Sequence, residues 1–360
     1  MELRSGRSLT SLPPRNKSSP SNIDIGQDED MISTLPDHLL LGILERLHLR
    51  EALRVGAAST RWRHLPHQLS HLELGVDQFH GATPVEIMDA FMGAARRLVD
   101  HHSALKIDTP CSGLQELQFI DFACTCIELI SVPKLREIWC WSWPCESPPV
   151  HFGHVPQLLE VNLGSRAGVW QAPFALSECL SATNLSRLCL NFGCEMIWIQ
   201  LEHPKHLTTI FRNLTEVYLY CIFPECDLNW TMFLVEAAPA LLNFTLLRNQ
   251  HPCVKPSEYS SQKTNMLWEP SKDWKHLNLK LLVMAGFEEE DKVTNYLRLF
   301  MERAVGLKRI ELRGKDPCDE CNAMDLELES TRSLVDKASR YRIKERLTHE
   351  FSLSVKITIC

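Results

Sequence analysis

Long apolar runs are missing from this 360-residue chain. None reaches the roughly 20 residues that cross a bilayer, so no membrane span is expected. The opening residues, MELRSGRSLTSLPPRNKSSPSN, lack the continuous apolar centre of a secretory signal. An intracellular location, nucleus or cytoplasm, is therefore expected. Excess positive charge is missing too: 38 Lys and Arg face 45 Asp and Glu, for a net charge of −7. This argues against a nucleic-acid binder that relies on bulk positive charge. The chain also has no phosphate-cradling Walker loop, dinucleotide glycine fingerprint, G-x-S-x-G elbow or kinase motif set. No cofactor is implied.

Cysteine is plentiful, at 14 residues. Without a secretory signal the default is the thiol, not the disulfide. Most cysteines sit beside apolar residues, as Cys140 between Trp139 and Trp141 and Cys189 between Leu188 and Leu190. Free cysteine packs as a small hydrophobe, so these read as core. One C-x-x-C occurs, Cys318 to Cys321, but no second pair has finger-like spacing, and ordinary thiols are favoured over structural zinc. The five N-x-S/T sequons carry no glycosylation meaning in a chain that is not secreted.

Residues 1–30 are rich in Ser, Pro and charge and show no periodicity, the composition of a disordered segment. The stretch that organises the chain follows, at residues 31 to 65: MISTLPDHLLLGILERLHLREALRVGAASTRWRHL. Leu39, Leu40, Ile43, Leu44 and Leu47 recur at the one-face spacing of an amphipathic helix, and Pro36 suits its first turn. A second short apolar pattern runs through Ala52, Val55, Gly56 and Ala57, ahead of Ser59-Thr60-Arg61-Trp62-Arg63. So small a unit lies below the size at which a lone core suffices, so its leucines need the rest of the chain or a partner.

Downstream, an L-x-x-L-x-L pattern with apolar variants begins at Leu69, Leu114, Leu135, Leu158, Leu185, Leu214, Leu241, Leu279 and Leu307. From Leu114 the starts are 21, 23, 27, 29, 27, 38 and 28 residues apart. Self-similarity of this period is the signature of leucine-rich repeats, each unit burying its face against the next. The spacing is irregular and no turn asparagine recurs, so an uneven solenoid is expected. Between the first two units, Thr83-Pro84-Val85-Glu86 reads as a helix start, and Ile87, Met88, Phe91, Ala95 and Leu98 as one helical face. The widest gap holds a polar, proline-bearing stretch from His251 to Pro270, read as a long loop.

Near the end, Leu279 to Phe287 reads as a strand closing on Gly286-Phe287, and 288–291 is acidic. Val293, Tyr296, Leu297, Phe300, Met301 and Ala304 then repeat at helical spacing. The acidic run sits where the helix dipole favours negative charge and reads as capping. Lys337, Arg340, Arg342, Lys344 and Arg346 form a basic segment, read as a solvated helix face ahead of an acidic partner's site. Trp139, Trp141 and Trp143 alternate along one strand, which places them on one side. They are the best candidate for a substrate hot spot, with core or edge packing at least as well supported.

Residues 31 to 65 closely resemble the F-box, whose pattern is L-P-D-x-L-L, then I-L-x-x-L, then S-x-R-W-R-x-L. The strand–Gly-Phe–acidic–helix–strand unit resembles the FBD module of plant F-box proteins. The order of F-box, repeats and FBD-like end resembles plant F-box/FBD/LRR proteins, particularly those of grasses. The resemblance implies an α/β fold: a small three-helix F-box, an irregular leucine-rich-repeat solenoid and an FBD-like C-terminal unit. The boundaries are 1–30 for the disordered segment, 31–66 for the F-box, 67–270 for the repeats and 271–360 for the FBD-like region.

It further implies a non-catalytic substrate receptor of an SCF-type cullin–RING ubiquitin ligase. Leu35, Pro36, Leu39, Ile43 and Leu47 would dock a Skp-type adaptor, with Trp62 buttressing the helices. The repeats and the FBD-like end would hold a protein substrate, with neither nucleic acid nor membrane involved. Ala58 departs from the family's usual leucine before S-x-R-W, and a lost buried leucine costs about 2–5 kcal/mol, which points to weaker adaptor binding. The alternatives are an adaptor-independent repeat scaffold with a degenerate F-box and, more remotely, a thiol or metal enzyme around Cys318 and Cys321.

Overall fold

The computed structural model describes residues 35–47, 51, 55, 65, 69, 71–75, 104–111, 113–120, 126–141, 143, 148–164, 173–194, 197–223, 225–248, 268–314, 336–349 and 355–360. Ala58, Trp62, the 83–98 helical face, most of the 251–270 loop and Cys318 and Cys321 lie outside these residues.

In chain order the described elements begin with α1 (Asp37–Leu44), β1 (His71–Gly75), β2 (Ala104–Asp108), β3 (Glu116–Ile120), β4 (Cys126–Ser131), β5 (Glu137–Trp141), β6 (Val150–His154) and β7 (Glu160–Gly164). There follow β8 (Phe174–Ala175), α2 (Leu176–Leu180), β9 (Arg187–Asn191), β10 (Ile199–Gln200), α3 (Pro204–Thr208), β11 (Glu216–Ile222), α4 (Met232–Ala237) and β12 (Asn243–Arg248). The last are β13 (Leu281–Ala285), α5 (Asp291–Arg303), β14 (Arg309–Leu312), α6 (Lys337–Thr348) and β15 (Lys356–Ile359). The fold is α/β, with mostly parallel strands and few helices.

Ten strands make one sheet in the order β1-β3-β5-β7-β9-β11-β12-β13-β14-β15, every pairing parallel. The cause is visible in each strand's alternation. Leu117 and Phe119, Ile138 and Cys140, Val161 and Leu163, Leu188 and Leu190, Val217 and Leu219 are buried, and they face each other in register. A one-residue slip in any strand would turn these side chains outward, so burial sets the register.

Two backbone devices repeat between strands. The residue just ahead of a strand accepts two N–H bonds from the next unit: Gln115 O from Arg136 and Glu137, Arg136 O from Leu159 and Glu160, Ser186 O from Thr215 and Glu216. The leucine that opens a unit also closes a tight turn, as Leu135 N–H to Val132 O, Leu158 to Val155, Leu214 to Phe211 and Leu307 to Ala304. The unit at Leu279 differs, because Leu279 N–H donates to the His276 ring at Nδ1, 3.0 Å away. The same ring's Nε2 lies 2.9 Å from Ala238 O. The ring is thus the neutral tautomer that donates from Nε2, and burial holds its pKa below the ordinary 6.5.

The layer behind the sheet changes along the chain. Units spaced 21 and 23 residues apart cover it with strands, β4 and β6, which join β2 in a three-stranded sheet. Later units, mostly 27 to 29 residues apart, use helices. A helix rises about 1.5 Å per residue against about 3.3 Å for a strand, so covering the same length takes more residues. Helix α5 buries Val293, Tyr296, Leu297, Phe300 and Met301, with Phe300 stacked on Phe244 of β12 at 5.7 Å. One core cluster extends from Leu105 to Ile359, and α1 belongs to a separate small one. Among the described residues no helix is long and apolar enough to cross a membrane.

At the C-terminal end two expectations change. The acidic run is not a side-chain cap: Glu290 occupies the N-cap of α5 but makes no cap bond with its carboxylate. Instead Glu289 takes Arg342 at 2.8 Å and Arg346 at 3.0 Å, Asp291 takes Arg346 at 2.7 Å, and Glu290 takes the buried Arg248 at 2.9 Å. The basic segment on α6 is therefore in part an internal clamp onto α5. Gly286, at φ +68°, lets this turn close, since a Cβ there would lie 2.1 Å from Arg248 O.

Candidate docking surfaces

Helix α1 starts after Pro36, whose carbonyl accepts from Leu39 and Leu40 at 3.0 and 3.2 Å. Pro36 has no N–H to lose, so it stands at the N-cap without cost. Leu40 and Leu44 are fully buried with Leu65 and Leu69, and Leu35, Leu41 and Val55 pack against them. The adjoining stripe is open: Leu39 is 47% exposed, Ile43 39% and Leu47 38%. These three lie four residues apart, one beyond the other along the same side, Leu47 just past the helix end. Pro36 is exposed as well, and Leu35 half-buried. The leucines of this segment thus split into a small core and an uncovered apolar row.

The second surface is the open face of the large sheet. Residues between the buried ones form rows across the strands. One runs Glu116, Glu137, Glu160, Arg187, Glu216; the next runs Gln118, Trp139, Asn162, Cys189, Tyr218; a third runs Ile120, Trp141, Gly164, Asn191, Tyr220. Trp139 and Trp141 lie with ring centroids 5.8 Å apart, Tyr218 and Tyr220 stack at 6.0 Å, and the space between them is a groove of about 600 Å³. Gly164 faces Trp141, and its missing side chain makes room for the indole, whose nearest carbons lie 3.4 Å from where a Cβ would be.

Trp143 does not join that stripe. Strand β5 ends at Trp141, so the two-residue alternation stops there, and Trp143 is buried against Phe174 and Trp198 at 6.5 and 5.0 Å. Cys189 also departs from expectation. Its neighbours Leu188 and Leu190 point into the core, so alternation turns Cys189 to the groove side, where it lines the wall although little exposed. Sequence reasoning passed over Tyr218, Tyr220 and Arg187; only the register that stacks strands 29 residues apart reveals them beside Trp139 and Trp141.

The groove's polar groups are already engaged. Arg187 bridges Glu160 at 2.6 Å and Glu216 at 3.0 Å. Burial opposes its charge, but the two carboxylates outweigh that and hold it firmly protonated. Glu137 is raised by burial, against a bond from the Trp139 indole that lowers it, with Glu160 and Glu116 adding repulsion. Burial pushes the Cys189 thiol and the Tyr218 hydroxyl each up to about 12, Tyr218 with help from its 2.9 Å bond to Glu216. Around Cys189 and Tyr218 the surface therefore offers flat aromatic faces, a neutral hydroxyl and a neutral thiol. Among the described residues no three His, Cys, Asp or Glu side chains gather as a metal site.

No family model matches the chain. Over 43 residues it is 54% identical to the F-box protein At1g80960 of Arabidopsis thaliana, a stretch covering 12% of this chain and 9% of that protein. Over 72 residues it is 39% identical to the F-box/FBD/LRR-repeat protein At5g22660 of Arabidopsis thaliana, covering 20% and 15%. The matches therefore span only a small part of either relative, and support for the F-box family rests on those partial stretches.

Proposed function

We propose that this chain is the substrate-recognition subunit of an SCF-type cullin–RING ubiquitin ligase. Residues 31–66 form the F-box, 67–270 a leucine-rich-repeat solenoid and 271–360 an FBD-like region. Leu35, Pro36, Leu39, Ile43 and Leu47 dock a Skp-type adaptor, buttressed by Trp62. The observation that carries this reading is the uncovered row of Leu39, Ile43 and Leu47 beside the buried Leu40, Leu44, Leu65 and Leu69. A row of large apolar side chains at helical spacing is what helix-in-groove docking uses. The partial identity to F-box proteins supports the same reading.

The receptor is non-catalytic and acts in the nucleus or the cytoplasm. It holds a protein substrate against the aromatic groove of Trp139, Trp141, Tyr218 and Tyr220, and tethering there raises the local concentration of substrate at the ligase.

Leu39→Ala with Ile43→Ala removes exposed side chains and is expected to leave the fold intact by circular dichroism. Co-purification with a Skp-type adaptor should then drop below detection, while Trp141→Ala captures the adaptor as wild type does. Normal capture by the double variant would sink the interface. Wild-type protein that captures no adaptor would favour the adaptor-independent scaffold.

A further inference from the structure

Two residues other than glycine have positive φ among the described residues, and both are cysteines: Cys194 at 61° and Cys221 at 52°. L side chains rarely adopt this region, and it persists only where the surrounding structure holds it. They are neighbours. Cys194 follows Gly193 in the turn after β9, where Gly193 N–H is held by Asn191 Oδ1 at 2.9 Å. Cys221 sits at an irregularity of β11, where the register against β12 shifts between Leu219 and Ile222. Cys194 N–H donates to Cys221 O at 2.8 Å, and the two thiols hydrogen-bond each other.

We propose that Cys194 and Cys221 form an oxidation site that closes to an intramolecular disulfide when a peroxide reaches it. With standard backbone dimensions the 2.8 Å bond keeps the two α-carbons within about 6.7 Å, inside the roughly 4.4–6.8 Å limit that a disulfide spans. The left-handed turn and the strand irregularity bring both cysteines out of the ordinary ladder geometry. Both thiols are half-buried, within reach of a small oxidant. Cys221 is the better first nucleophile: the bond from Cys194 holds its thiol below the ordinary range, although burial opposes this. The remaining shifted thiols, Cys179, Cys189 and Cys226, are all raised by burial.

The chemistry balances with one peroxide. The Cys221 thiolate attacks an oxygen of hydrogen peroxide, giving a sulfenic acid and hydroxide, which takes up the proton Cys221 had released. The Cys194 sulfur then attacks the sulfenic sulfur, and the S–OH oxygen leaves as water with the Cys194 proton. The two sulfurs lose two electrons and the peroxide gains them, with two waters formed. The link would tie the β9 turn to β11 beside Tyr220 and Cys221, at the end of the aromatic groove.

The test is non-reducing peptide mapping of the whole reduced chain after brief treatment with hydrogen peroxide. The expected product is a peptide joining Cys194 to Cys221, two hydrogens lighter than the reduced pair, and restored by a thiol reductant. In Cys194→Ser, Cys221 should instead be trapped by a sulfenic-acid reagent. Oxidation of other cysteines with no 194–221 link, or Cys221 passing to sulfinic acid equally in wild type and variant, would overturn the proposal. The wild-type map decides the question even if the variant fails to fold.

Discussion

His276 shows how much one side chain can replace. In neighbouring units a backbone carbonyl closes the turn before the leading leucine, and here an imidazole nitrogen does so for Leu279. That nitrogen must stay unprotonated to accept. Because burial depresses the folded pKa, the unfolded chain binds the proton more readily. The histidine's contribution is therefore complete above about 6.5, the unfolded value, and declines as pH falls through the lower folded value. Stability measured by urea unfolding should therefore fall across that window, as protonation of the ring removes its bond from Leu279. His276→Asn should flatten the dependence, and an unchanged pH profile in that variant would show that the ring does not carry it.

Elements differ in what ties them down. Strand β11 is held on both sides by parallel partners in register, whereas α6 touches the rest through Ile343, Leu347 and the clamp onto α5. Glu289 is lowered by the bonds from Arg342 and Arg346, outweighing its partial burial. The arginines are solvent-exposed, so the clamp contributes to placement more than to stability. Glu289→Gln should speed amide exchange across Lys337–Thr348 severalfold while changing global stability by less than about 1 kcal/mol. Exchange in α6 unchanged from wild type would mean that packing alone holds the helix.

Across the molecule, stability divides between two cores. Among the described residues, the large cluster buries residues from nearly every strand, and Leu40 and Leu44 of α1 pack with Leu65 and Leu69. A fully buried leucine stabilises by about 1.5–3 kcal/mol, so this described cluster gives α1 far less support than the large core gives β11 and β12. Amides of α1 should therefore exchange at least about a hundredfold faster than those of β11 and β12 in the free chain, and slow markedly with a bound adaptor. Equal protection of the two regions without a partner would count against α1 as a docking element.

What the sequence determined by itself was whatever follows from local period. The L-x-x-L-x-L starts marked every strand of the main sheet except β15, and the helical spacing after 291 marked α5. The apolar spacing of α1 was legible, but the split of that one face into buried Leu40 and Leu44 and exposed Leu39, Ile43 and Leu47 was set by what packs beside the helix. Only the tertiary structure decided what depends on register between distant segments. It put Tyr218 and Tyr220 beside Trp139 and Trp141, turned Trp143 into the core, set Arg342 on Glu289, and joined Cys194 to Cys221. The physical reason is that alternation fixes which way a side chain points along one strand. Its neighbours across the sheet are set by how many residues each intervening turn consumes.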